Sequence, residues 1–196
     1  MRMLDLFCGR WGWSKAFAAR GWECVGVDWL YQADAPWGCR FVQEDVLLIS
    51  DDWVGDFYPD FICASSPCEQ FSVHGMKHFH PNPRYPELGI KLFNHTREIC
   101  EASGVPYVME NVRAAQQFVG NAVHHCGPFY LWGTGVPPLL NQGIRKGRRL
   151  MTGGYKRQTA GRSDKAAAAI VAAIPPELAN CVAEYAERSI EQRRAS

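Results

Sequence analysis

Apolar residues come in short bursts along this chain. Residues 1 to 7, Cys24-Val25-Gly26-Val27, Phe61-Ile62-Cys63-Ala64 and Val105 to Met109 are each too short for a helix and end in turn-forming residues or an acid, as buried strands do. Phe41 to Leu48 offers a further strand with Asp45 near its end. Between these bursts the apolar spacing turns helical. One run leads from Ser14 to Arg20, where Gly21 stops it; another, with Leu88, Leu92, Phe93 and Ile99 inward, spans Glu87 to Ser103 and ends at Gly104. Asp164 to Ala173 reads as an alanine-rich helix, Pro175-Pro176 interrupts it, and Glu177 to Gln192 closes the chain. Strand alternating with helix predicts one α/β domain over residues 1–196, a mostly parallel sheet with helices on both faces. Residues 113 to 142, rich in Gly, Pro and aromatics, carry no clean period. Residues 73 to 86, with His74, His78, His80 and three prolines, read as a long loop of functional length.

Open α/β sheets carry ligands at the carboxyl ends of their strands, so the residues that follow each burst are the candidates for chemistry. After Phe61 to Ala64 comes Ser65-Ser66-Pro67-Cys68-Glu69-Gln70-Phe71-Ser72. A thiol is nucleophilic as thiolate, which needs a polar, partly open setting, and these neighbours supply one. The bland alternative is a cysteine serving as a small buried hydrophobe. The first strand breaks at Cys8-Gly9-Arg10-Trp11-Gly12, and Glu23 to Asp28 follows the helix as a second strand ending in an acid. Such a βαβ unit sets backbone amides and a helix amino terminus against a polar ligand, with the acid on ribose hydroxyls. Asp45 is placed for an exocyclic amine such as that of adenine, or is a solvated acid in a loop. Glu110 follows the Val105 strand directly, so it is expected to emerge beside Cys68.

Composition narrows the class. The 196 residues are 47% hydrophobic, enough for one sizeable core, and the formal charge of +1 is globally neutral toward anions. Eight cysteines without a leader-like opening are expected to be free thiols in a reducing cytoplasm. No CxxC pair and no apolar run near membrane-spanning length occurs, so neither a zinc site nor a membrane partner is expected. Charge is concentrated in one place. Residues 143–162 hold Arg145, Lys146, Arg148, Arg149, Lys156, Arg157 and Arg162 with no acid, a pattern suited to phosphate.

Together these pieces resemble the S-adenosylmethionine-dependent DNA cytosine-5 methyltransferases, in particular small members from bacteriophage genomes. Asp5-Leu6-Phe7-Cys8-Gly9 resembles the opening cofactor motif, Asp28 the ribose-binding acid and Asp45 the adenine-binding position. Ser66-Pro67-Cys68-Glu69-Gln70-Phe71-Ser72 resembles the catalytic proline-cysteine loop, and Glu110-Asn111-Val112 the glutamate motif. The resemblance implies a Rossmann-like class I methyltransferase of the bacterial or phage-infected cytoplasm, with S-adenosyl-L-methionine as donor, DNA as partner and no metal. It implies that Cys68 adds to carbon 6 of a flipped-out cytosine while Glu110, its pKa raised by burial, protonates ring nitrogen 3. Phe7, Cys8, Gly9, Gly12, Trp29 and Pro67 join Asp5, Asp28 and Asp45 around the donor, and Gln70 and Ser72 face nucleic acid.

Departures from the family pattern shape the remaining expectations. Trp11-Gly12 stands where paired glycines are usual, and Glu69 replaces a glutamine. The arginine motif after the glutamate motif is unclear, with Arg113 the catalytic candidate and Arg145, Arg148 and Arg149 as substitutes. Barely 50 residues separate Val112 from Arg162, where members that read long sites carry a large recognition segment. Short or loose sequence preference is therefore expected, the basic run 143–162 standing in for that segment. Arg162 and Ser163 fall where a late motif lines the cofactor. A guanidinium there suits either phosphate or an extra anion on the donor, as in carboxy-S-adenosyl-L-methionine, which would transfer carboxymethyl. A single-stranded or free cytosine nucleotide as substrate, a non-catalytic DNA-binding role and a homodimer all stay open.

Overall fold

In the computed structural model, residues 1–72, 86–138 and 173–195 are described. Their strands form one seven-stranded sheet in the order β3-β2-β1-β4-β5-β7-β6, from β1 (Arg2–Leu6), β2 (Glu23–Asp28), β3 (Cys39–Gln43), β4 (Phe61–Ala64), β5 (Tyr107–Asn111), β6 (His124–Cys126) and β7 (Phe129–Trp132). The first five are mutually parallel, while β7 runs antiparallel to both β5 and β6. This is the Rossmann-like α/β arrangement expected of a class I methyltransferase. The strand order reverses between β1 and β4, the point at which such sheets open a crevice for ligands.

Alternation along the strands sends side chains into two cores. Met3, Cys24, Phe61, Cys63 and Val108 meet Trp13 and Phe17 of α1 (Gly12–Ala18) and Leu178, Val182 and Ala186 of α6 (Pro176–Ala195). Leu4, Leu6, Val25, Val27, Ile62 and Met109 meet Val54 of α2 (Asp51–Phe57) and Phe93 and Ile99 of α4 (Glu87–Ala102). Helices therefore cover both faces, as expected. On the outside of the first layer Arg20 pairs with Glu187 at 2.8 Å and Glu184 at 3.2 Å, and the Trp22 indole also donates to Glu187, tying α6 back to the α1–β2 connection.

Several boundaries differ from the sequence expectation, each for a local reason. The strand placed at 41–48 instead runs from Cys39 to Gln43. Asp45 then caps a 3-10 turn, Val46–Leu48, by accepting the Leu47 N–H at 3.0 Å. The final strand expected to stop at Met109 continues through Glu110 to Asn111, because β7 pairs with it there. Leu88, expected inward, lies on the open side of α4, 50% exposed. The helix α2 gave no apolar period. It is built by Ser50, which caps it through the Trp53 N–H, and by Asp51 and Asp52 in its first turn. The segment 113–142 yields the 3-10 turn Arg113–Ala115, α5 (Gln116–Val119) and the β6–β7 hairpin within its described part. The closing helix runs longer than expected at both ends, with Pro176 at its first position, where no N–H is needed. The alanine-rich stretch 164–173 lies outside the described residues, except for its final residue.

Candidate active site

Two chain segments leave the sheet side by side at the reversal point, one after β1 and one after β4. The second carries Cys68, and the two serines ahead of its proline are tied down. Ser65 Oγ accepts the Trp13 indole N–H at 2.9 Å, from α1. Ser66 accepts the Asn111 amide through its carbonyl (3.0 Å) and its hydroxyl (3.1 Å), from the end of β5. Pro67 is exposed, and Cys68, half-buried, then opens the short helix α3 (Glu69–Ser72), its carbonyl accepting the N–H groups of Phe71 and Ser72. Gln70, expected to face nucleic acid, accepts the Gly89 N–H at 2.7 Å and so caps α4. The Ser72 hydroxyl donates to the Cys68 sulfur.

Glu110 lies at the same edge of the sheet. It is buried at the end of β5, one strand from β4. Desolvation is the main cause that pushes the Cys68 thiol up to about 11, the Glu110 charge comes next, and the Ser72 hydrogen bond works against both. The Glu110 charge thus acts on a sulfur 42 positions away in sequence, from the strand next to the one that delivers it. Arg113 heads the 3-10 turn immediately beyond, exposed, beside a shallow hollow lined by Ala114, Gln116, Gln117 and Asn121. A separate cavity of about 300 Å³, lined by Phe61, Pro106, Tyr185 and Arg193 among others, opens where β4 and β5 begin, at the opposite end of these strands from Cys68.

The segment after β1 is shaped by backbone strain and packing. Phe7 (φ 59°), Gly9 (φ 43°) and Trp11 (φ 63°) all take the left-handed conformation. For an L-residue such as Trp11 this costs about 1–2 kcal/mol. Burial of an indole, about 150–250 Å² at roughly 25 cal/mol/Å², returns about 4–6 kcal/mol and wins. Trp11 is 2% exposed, its ring edge-on to Phe41 and laid over Gly26 of β2, where a Cβ would collide with it and come within 2.9 Å of Cys8. From the sequence Trp11 stands only where a paired glycine is usual. The isolated glycine inside β2 was the available signal for a close approach.

The residues assigned to the donor fit such a molecule. Asp28 is buried at the end of β2, one oxygen accepting the Gly9 N–H and the other the Leu30 N–H, both at 3.0 Å, which leaves carboxylate lone pairs for further donors. Trp29, beside it, is 67% exposed and offers an apolar face to a heterocycle. Asp5 is fully buried beneath the turn. Its Oδ2 takes the backbone N–H and hydroxyl of Ser14, fixing α1, and its Oδ1 has no hydrogen-bond partner. Desolvation raises Asp5 to about 7. Phe7 is half-buried against the second core, and Gly12 turns its bare Cα toward Ile174, whose Cβ would lie 2.9 Å from a Cβ built there. Arg145, Lys146, Arg148, Arg149, Lys156, Arg157, Arg162 and Ser163, and the histidines 74, 78 and 80, lie outside the described residues. The carboxymethyl reading rested on Arg162.

The family model for C-5 cytosine-specific DNA methylases matches residues 1–124, which include every described residue assigned above. The chain is 28% identical over 117 residues to the type II methyltransferase M.HhaI of Haemophilus parahaemolyticus, covering 58% of this chain and 34% of that one. It is 34% identical over 95 residues to the type II methyltransferase M.AplI of Arthrospira platensis, covering 46% and 26%. The chain thus spans a quarter to a third of the length of the curated relatives it matches. Among solved structures, a mutant DNMT2 of Spodoptera frugiperda aligns at TM-score 0.41 and 20% identity, over 59% of this chain and 37% of that one.

Proposed function

The chain belongs to the C-5 cytosine-specific DNA methylase family, and from that premise we propose that it transfers a methyl group from S-adenosyl-L-methionine to carbon 5 of cytosine in DNA. The reaction runs through a covalent bond to Cys68, with short or loose sequence preference. The observation that supports this reading is that Glu110, buried on β5, lies one strand from the segment after β4 that carries Cys68, near enough for its charge to act on the thiol.

A cytosine ring resists attack at carbon 6 unless charge can leave through ring nitrogen 3. Glu110, held rigidly in β5, supplies that outlet as a proton donor, and Cys68 adds from the neighbouring loop. The two needs agree electrostatically. A protonated Glu110 serves nitrogen 3 and no longer opposes the Cys68 thiolate, while Ser72 goes on donating to the sulfur. The hydrogen bonds from Trp13 and Asn111 fix where the sulfur sits, which matters because misplacement by about 1 Å can cost a hundredfold in rate. When bound, S-adenosyl-L-methionine supplies an electrophilic methyl group. Asp5, Asp28 and Trp29 are the residues that would hold it, with Asp45 and the turn 7–12 alongside. The basic run 143–162 would supply phosphate contacts, giving affinity with little base readout.

The test is to incubate the protein with S-adenosyl-L-methionine and duplex DNA containing 5-fluorocytosine, which halts the reaction at the adduct. A denaturation-stable protein–DNA species that maps to Cys68 and is absent from Cys68→Ala is expected. No adduct, or one that survives Cys68→Ala, would overturn the assignment. Labelled-methyl transfer to duplex, single strand and mononucleotide then ranks the substrates.

A further inference from the structure

Two cysteines away from the Cys68 site face one another near the free edge of the sheet. Cys24 in β2 and Cys39, the first residue of β3, are directly opposed in the parallel register. Both side chains fall on the face that carries α1 and α6, where Cys39 packs at the margin of the core that encloses Cys24. Cα atoms of neighbouring strands stand about 4.8 Å apart, inside the roughly 4.4–6.8 Å that a disulfide spans. The Cys24 thiol donates to the backbone carbonyls of Trp22 at 3.7 Å and Ser14 at 3.8 Å. The neighbouring Cys24 side chain holds Cys39 below the usual thiol range, and Cys39 together with burial holds Cys24 above it. Access is as unequal as acidity, since Cys24 is fully buried and Cys39 is half-buried on the edge strand.

We propose that Cys24 and Cys39 form a reversible peroxide-driven redox pair, in which Cys39 is oxidised first and Cys24 resolves it. The Cys39 thiolate attacks one oxygen of hydrogen peroxide. A sulfur–oxygen bond forms, the oxygen–oxygen bond breaks, and hydroxide departs and is protonated to water. The sulfur loses two electrons, which the peroxide gains. The Cys24 sulfur then displaces the hydroxyl from Cys39 sulfenic acid, its proton leaving with that oxygen as a second water, and the disulfide closes. Both thiols are reduced in this structure, so the partner is already in place when oxidant reaches Cys39. The bridge encloses the segment that holds Asp28, Trp29 and the 93% exposed Trp37, joining the two strands that lead to Asp28 and Asp45.

The experiment exposes the reduced full chain to hydrogen peroxide, alkylates the remaining thiols and maps unreduced peptides by mass spectrometry. A cross-linked peptide joining Cys24 to Cys39 is expected, lighter than the two free peptides by two hydrogens, lost on adding dithiothreitol and missing from Cys39→Ser. Cys39 passing to sulfinic acid while Cys24 stays alkylatable would overturn the proposal, as would a bridge from either residue to a different cysteine. Should Cys39→Ser fold poorly, the wild-type peptide map still decides. Oxidation of Cys68 appears in its own peptide and leaves this readout untouched.

Discussion

The two segments that leave β1 and β4 are neighbours at one crevice, yet different forces hold them. The Cys68 loop keeps positive-φ-free backbone and is pinned by side-chain hydrogen bonds from α1 and β5. The turn after β1 accepts left-handed backbone at Phe7 and Trp11 and is locked by the Trp11 ring pressed onto Gly26. The difference teaches where each segment tolerates change. A loop held by hydrogen bonds can lose one and stay in place with graded loss, whereas a turn held by packing answers to volume. The Trp13–Ser65 bond joins the two, so a shift of α1 moves the nucleophile as well.

Three substitutions sharpen this contrast. Glu110→Gln should have the largest effect, lowering labelled-methyl transfer by about a hundredfold to ten-thousandfold while the urea midpoint stays close to wild type. A loss of stability equal to the loss of rate would make Glu110 structural. Gly26→Ala comes next. Its new Cβ meets the Trp11 ring and Cys8, and overpacking of that kind should cost about 1–3 kcal/mol in urea unfolding, with Cys68 alkylation unchanged. Unaltered stability would mean that the turn is not held by that packing.

Ser72→Ala should have the smallest effect. With Cys68 pushed up to about 11, its alkylation rate is expected to climb about tenfold per pH unit from about pH 7 to about pH 10, following the thiolate fraction. The sign follows from the proton count, because burial and the Glu110 charge favour the protonated thiol and only rising pH removes that proton. Removing the Ser72 donor takes away a group that stabilises the thiolate. The profile should shift to still higher pH, with alkylation slowed about fivefold at fixed pH, the worth of a hydrogen bond of about 1 kcal/mol. A shift toward lower pH would show that Ser72 acts otherwise.

Much of this molecule was determined by its sequence alone. Short β-rich bursts between helical stretches fixed the parallel α/β sheet, and Glu23–Asp28 was legible to the residue because Gly21 and the terminal acid bracket it. The order of the chemical residues along the chain was equally plain. What only the tertiary structure decided were the features that depend on distant partners. Asn111 meets Ser66 and Glu110 lies inside β5 because β7 pairs alongside and extends that strand. Gln70 caps a helix that begins seventeen residues later in the chain. Trp11 becomes core rather than a flaw in a glycine turn because Gly26, on the next strand, leaves room for its ring. Local pattern reports what a segment can bury, whereas hydrogen-bond partners and collisions are set by neighbours that the chain brings together only on folding.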